Sequence, residues 1–199
     1  GVDSSLIETN GEDKCKVICN NYHPYTSHLS REIKKMRDLI IDYKDLKKFK
    51  KKIEILEGKI TNFHLMICEE WQRNYTFDLV GLHGHTIYHN SQEKISIQLG
   101  IGNIISENLK KNVIYNFRQE DIENGGEGAP LSPIYHKQLI KICFKMIKLK
   151  LPLSILNIGG ISNITNISKN FSITSKDLGP GNCLIDKWIS INSKHLFDK

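Results

Sequence analysis

The stretch SKDLGPGNCLIDKW, residues 175–188, sets one carboxylate, Asp177, just before Gly179-Pro180-Gly181. The run FSITS precedes it with strand-like alternation, and Leu184, Ile185, Trp188 and Ile189 follow at helical spacing. The carboxylate therefore stands at a strand-to-helix joint. Two readings fit that position. Asp177 can cap a helix beginning near Gly181 by accepting its first N–H groups. It can equally take a proton from water or a hydroxyl in a cleft that the two glycines leave open.

Polar and glycine residues gather at strand ends in three further places: HGHT at 83–86, NFR at 116–118 with GGEGAP at 125–130, and NIGGISN at 157–163. Ligands of open α/β sheets collect beyond the carboxyl ends of strands. Gly159-Gly160 reads either as a hairpin turn or as bare backbone brought against a phosphate. GGEGAP reads as an ordinary loop or as a floor beneath a flat ligand. His83 and His85 lie two apart, on one side if the strand continues. A zinc site would need further ligands, and no suitable carboxylate or cysteine lies near in sequence, so no metal site is assigned.

The elements that must position these residues alternate. KCKVICNNY reads as a strand. TSHLSREIKKMRDLI reads as a helix capped by Thr26 or Ser27, with Leu29, Ile33, Met36 and Ile40 on one face. Residues 42–52 are charged and ambiguous. Residues 54–74 read as a second helix, weakened near Gly58. FDLVGLHGHTIYH is a strand running into a polar turn, KISIQLG a strand, IGNIISENLKKN a helix and VIYNFR a short strand. QEDIENGGEGAPLSP is a glycine-rich loop, and residues 134–148 a helix. LSILNIGGISNITNIS reads as strand, turn and strand. This alternation predicts an α/β fold, with a domain boundary near Lys150–Pro152.

The 199 residues carry a net charge of +6, with 39% hydrophobic and 25% charged residues, ordinary for a soluble globular chain. Much of the excess sits in KKFKKK, Lys47 to Lys52, which reads as a solvated face rather than a phosphate-binding patch. No aromatic and basic interleaving supports nucleic-acid binding. No apolar run reaches the roughly 18 residues of a membrane span, and the N-terminus shows no basic region followed by an apolar core, so no signal peptide is expected. Five cysteines without a C-x-x-C pair fit reduced thiols.

Taken in order, GVDSSLIE, GLHGHTIYH, IQLGIGNIIS, VIYNFRQEDIENGGEGAPLSPIYH, LNIGGISNIT and DLGPGNCLIDKW resemble the bacterial anhydro-N-acetylmuramic acid kinase family. The resemblance implies a ribonuclease-H-like domain of the actin and sugar-kinase superfamily over residues 1–150, on the sugar side. It implies the beginning of a second, ATP-side domain over 151–199. It implies a cytoplasmic enzyme of peptidoglycan recycling that uses ATP and Mg²⁺ to open and phosphorylate the anhydro sugar, with a homodimer compatible with the superfamily. Asp177 matches the base that activates water. Asn157, Gly159, Gly160, Asn163, Gly179 and Gly181 match the ATP-phosphate side. His83, Asn116, Arg118, Gly126 and Pro130 match the sugar side, with Arg118 facing a lactyl carboxylate or a phosphate. A non-catalytic sugar-binding remnant of the same fold is the alternative.

The chain departs from the usual family pattern at His85, Ile101, Asn116, Glu127 and Leu178, which replace Gln, Asp, Asp, Gln and Thr. The family also opens with a phosphate-binding segment before Gly1 and continues past residue 199 into an adenosine-binding glycine motif. This chain by itself is therefore expected to be inactive.

Overall fold

A computed structural model describes residues 1–12, 14–146 and 149–194, with side chains described outside 144–146. The end of the helix expected over 134–148 lies outside the described residues. The chain divides into two compact units, Gly1–Glu8 with Lys16–Ala129, and Thr9–Cys15 with Pro130–Lys199. The boundary read near Lys150–Pro152 falls inside the second unit.

In the first unit, β1 (Val2–Thr9) pairs with β2 (Cys15–His23). Ser4 Oγ lies 3.0 Å from His23 Nε2 and accepts from Trp71 Nε1, also at 3.0 Å. Helix α1 (Ser27–Leu39) starts where Thr26 accepts the Leu29 N–H, and it buries Leu29, Ile33 and Met36. Spacings of four and three residues place those three on one face. The ambiguous stretch 42–52 is helical. Asp42 and Asp45 form a reciprocal capping box for α2 (Tyr43–Lys48), and α3 (Lys50–Asn74) follows at once. The lysine run thus lies on helical surface, with Lys48 and Lys52 over the Phe49 ring at 5.0 and 5.6 Å.

Strand β3 (Leu79–Leu82) pairs in parallel with β6 (Asn112–Tyr115), and α4 (Gly102–Leu109) lies between them in sequence. Strands β4 (His85–Asn90) and β5 (Ile95–Leu99) form an antiparallel pair. Leu29, Ile33, Met36, Ile40, Leu56, Ile60, Ile87 and Leu99 make one apolar cluster, and Leu82, Ile105 and Leu109 a second. Thr61 is buried, and its hydroxyl accepts the Ile101 N–H at 3.0 Å just before α4. Ile101 itself sits at the N-cap and supplies no side-chain bond. Helix α5 (Phe117–Glu123) occupies the beginning of the segment expected to be a loop.

In the second unit, α6 (Ser132–Met146) packs on an antiparallel sheet of β7 (Leu153–Ile158), β8 (Ile161–Ile167) and β9 (Ile173–Pro180). His136 Nδ1 on α6 lies 2.8 Å from the hydroxyl of the buried Thr165 on β8. Helix α7 (Asn182–Asn192) follows β9 after one residue. The architecture is thus mixed α and β, as the alternation predicted. Among the described residues no helix is long and apolar enough to cross a membrane.

Two stability tests follow from the first unit. Ile105 is 0% exposed and its neighbour Ile104 is 37% exposed. Ile105→Ala is expected to cost about 2–5 kcal/mol and Ile104→Ala less than about 1 kcal/mol, measured by urea unfolding. His85, half-buried with the Tyr25 ring edge-on at 5.8 Å, has its pKa pulled down to about 4. Burial is the main cause, and Arg37, His64 and His83 add positive charge. The unfolded chain takes up that proton near 6.5. Between those values the unfolded state binds more protons, so this contribution to stability is complete above pH 6.5 and is lost as pH falls toward 4. The loss is at most about 1.4 kcal/mol per pH unit. His85→Gln should flatten it, read from unfolding midpoints at pH 7 and pH 5.

Candidate active site

Strand pairing sets the geometry around Asp177. Asn157 pairs with Asn163 across β7 and β8, and Asn163 pairs with Asp177 across β8 and β9. Directly opposed residues on neighbouring strands share a face. The two amides and the carboxylate therefore form one row across the sheet, and Asn157 stands two residues before Gly159. The row depends on an irregularity. Ser162 pairs with Gly179, yet Asn163 pairs with Asp177, so Leu178 is an extra residue on β9. Gly179 takes φ +145°, a conformation that favours glycine, and a side chain there would meet only open space.

Asp177 is exposed. It lies within β9 and does not cap α7, so the cap reading is not the one realised. The N-cap is Gly181, which has no side-chain bond. The helix start is satisfied by the hairpin instead. The N–H groups of Gly181 and Asn182 donate to the carbonyls of Gly160 and Gly159 at 2.9 and 2.8 Å, and the Cys183 N–H donates to Gly160 at 3.3 Å. The Asn182 side chain adds a bond to the Ile158 carbonyl at 3.1 Å. A Cβ on Gly181 would lie 2.3 Å from the Gly159 oxygen, so close approach of the two turns requires glycine. These helix N–H groups point into the hairpin. Asn163 carries a further signature: its Oδ1 is buried and has no hydrogen-bond partner among the described residues.

The first unit holds a second cluster. The chain turns at His83-Gly84 between β3 and β4, with Gly84 at φ +71°. A Cβ there would lie 2.6 Å from the Leu99 carbonyl oxygen. The strand does not continue through the two histidines. His83 faces Arg118, while His85 enters β4 beside Tyr25. Arg118 Nε donates to His83 Nε2 at 3.0 Å, and Nη1 donates to the Gly128 carbonyl at 2.9 Å. Partial desolvation of the His83 ring, with Arg118 beside it, lowers its pKa, although a hydrogen bond to Gly84 pulls the other way. Desolvation also lowers the Arg118 pKa.

Asn116 begins α5 at φ +64° without a side-chain cap. After the helix, the GGEGAP segment folds back on Asp121. The Asp121 carbonyl accepts the Gly126 N–H, and its Oδ2 accepts the Gly128 N–H, both at 2.8 Å. The structure brings Arg118 against His83 and the Gly128 carbonyl, and it ties Gly126 to Asp121. It adds Asp121 and Gly128, whose signal was the third glycine after a carboxylate in one loop. Pro130 falls in the second unit. Among the described residues no group of three or more His, Cys, Asp or Glu is placed to hold a metal ion.

A sequence model described as anhydro-N-acetylmuramic acid kinase matches residues 1–199. A protein of Pelagibacter ubique named anhydro-N-acetylmuramic acid kinase is 45% identical over 203 residues, covering 100% of this chain and 53% of its own length. Proteins of the same name from Agrobacterium fabrum and Brucella canis are 31% and 30% identical, again covering all of this chain and 54% of theirs. The chain spans about half the length of the curated relatives it matches. With the match running from its first residue to its last, the chain belongs to the anhydro-N-acetylmuramic acid kinase family.

Proposed function

We propose that this chain forms part of an ATP-dependent kinase of 1,6-anhydro-N-acetylmuramic acid that opens the anhydro ring while phosphorylating oxygen 6, in cytoplasmic recycling of peptidoglycan. The observation that carries the reading is the exposed carboxylate of Asp177 in one row with Asn163 and Asn157, beside the glycine hairpin. Family membership and the names of the relatives support it.

The chemistry needs a base and a charge-tolerant phosphate cradle. Water attacks the anomeric carbon and forms a new C–O bond. Asp177 takes the proton from that water, the role of the base in an inverting glycosidase. The bond from the anomeric carbon to oxygen 6 breaks. The freed oxygen attacks the γ-phosphorus in line, and ADP leaves. Asn157, Asn163, Gly159 and Gly160 are the groups assigned to the phosphates, with Gly179 leaving backbone open to the ligand. Gly181 acts by letting the helix start close on the hairpin. On the sugar side we assign His83, Asn116, Arg118, Gly126 and Pro130.

Mg²⁺ supplies charge neutralisation in such transfers and is usually bound through substrate phosphates with only one or two carboxylates. We assign Mg²⁺ to that mode here, held chiefly through the phosphates of ATP.

We further propose that residues 1–150 are a ribonuclease-H-like sugar-side domain and 151–199 the beginning of an ATP-side domain. Leu156, Ile158, Leu178, Leu184, Trp188 and Ile191 are all more than half exposed. Apolar surface of that extent is normally covered, which supports a domain continued by further chain.

The test uses this chain extended to the length of its relatives with the corresponding segments of the 45% identical protein. With ATP, Mg²⁺ and the anhydro sugar, it should release the sugar 6-phosphate and ADP. Asp177→Asn should lower kcat by about 10²- to 10⁴-fold with sugar binding retained. Sugar binding without turnover in the parent protein would instead identify a binding remnant. Equal turnover in parent and variant would remove Asp177 from the mechanism.

A further inference from the structure

Arg118 is half-buried, and its two fixed contacts are both neutral: the His83 imidazole and the Gly128 carbonyl. Among the described residues no carboxylate lies within ion-pair distance of it. A guanidinium has five N–H donors. Two are engaged, which leaves the second hydrogen on Nη1 and both on Nη2. Those donors suit two oxygens of one carboxylate or phosphate.

Both contacts are built in by the backbone. His83 Nδ1 lies 2.9 Å from the Gly84 carbonyl, which can only accept, so Nδ1 carries the proton. Nε2 then accepts from Arg118, and the ring is held neutral in one tautomer. At the other contact, Gly128 sits at φ +73°, where a Cβ would lie 2.8 Å from Ile122 Cδ1 and 2.9 Å from the Arg118 carbonyl oxygen. Its N–H is tied to Asp121.

We propose that His83 is a positioning residue: as a neutral imidazole protonated at Nδ1, it fixes the Arg118 guanidinium so that the remaining donors receive a pair of anionic substrate oxygens. This rests on the kinase reading above. The oxygens belong either to the lactyl carboxylate of the sugar or to a phosphoryl group of ATP. The charged or titratable groups that act on His83 are Arg118 from α5, His64 from α3 and His85 from β4. A second proton on His83 would place a donor at Nε2 against the donor at Arg118 Nε and release the guanidinium.

The experiment uses the extended protein and measures binding of three probes by calorimetry: 1,6-anhydro-N-acetylmuramic acid, 1,6-anhydro-N-acetylglucosamine, which lacks the carboxylate, and Mg-ATP. His83→Ala should weaken binding of one anionic probe about 10-fold or more beyond any effect it has on the uncharged sugar. Loss on the acidic sugar assigns the carboxylate, and loss on Mg-ATP assigns the phosphate. His83→Gln, whose amide oxygen can accept from Arg118, should restore most of the affinity. Wild-type affinity for that probe should fall as pH drops below 6.5, the ordinary histidine value, and the Gln variant should show no such fall. Imidazole ¹⁵N shifts should show His83 unprotonated at Nε2 at pH 7. Normal binding of every probe by His83→Ala, or a proton on Nε2, overturns the inference and leaves the kinase reading intact. Failure of the wild type to bind any probe overturns both.

Discussion

The carbonyls of Gly159 and Gly160 receive the first N–H groups of α7, and the geometry around Asp177 follows from that junction. A helix start needs acceptors for its unpaired N–H groups. Here a hairpin provides them in place of a capping side chain, so the end of β9 is held against the turn between β7 and β8. Approach this close excludes a Cβ at Gly181. It leaves Asp177 free of the capping role its position in sequence suggested, with its carboxylate exposed.

Register does the rest. Each one-residue shift along a strand turns a side chain to the opposite face. The extra residue at Leu178 makes such a shift between Gly179 and Asp177, and Gly179 absorbs the unusual backbone angle. The outcome is a carboxylate aligned with two amides. Leu178, the bulged residue, is 51% exposed.

The first unit solves a different problem, the aiming of a cation. Two tight turns, at Gly84 and Gly128, bring a ring nitrogen and a carbonyl to one guanidinium. Asp121 holds the second turn through Gly126 and Gly128. Desolvation lowers the pKa of both His83 and His85 and so favours their uncharged forms. Asn116, another departure, adopts a left-handed backbone angle that asparagine tolerates better than most residues.

Local periodicity and capping chemistry sufficed for α1 with its Thr26 cap, for α3, for β2, and for the hairpin of β7 and β8. The capping box over 42–45 was also present in the sequence as two aspartates three apart, though the surrounding lysines obscured it. Helix α5 was not legible, because a left-handed start and a glycine-rich end hid its seven residues. The length of β9 was not legible either. Its alternation breaks at the bulge, and only pairing with β8 carries the strand on to Pro180. The sequence by itself determined the residue types of the site, namely one carboxylate, two amides, an arginine, a histidine and the glycine turns. The tertiary structure alone decided which of them meet. Side-chain period and turn chemistry are local properties, whereas the pairing of Asn163 with Asp177 and the contact between His83 and Arg118 join residues 14 and 35 positions apart through strand pairing and turn packing.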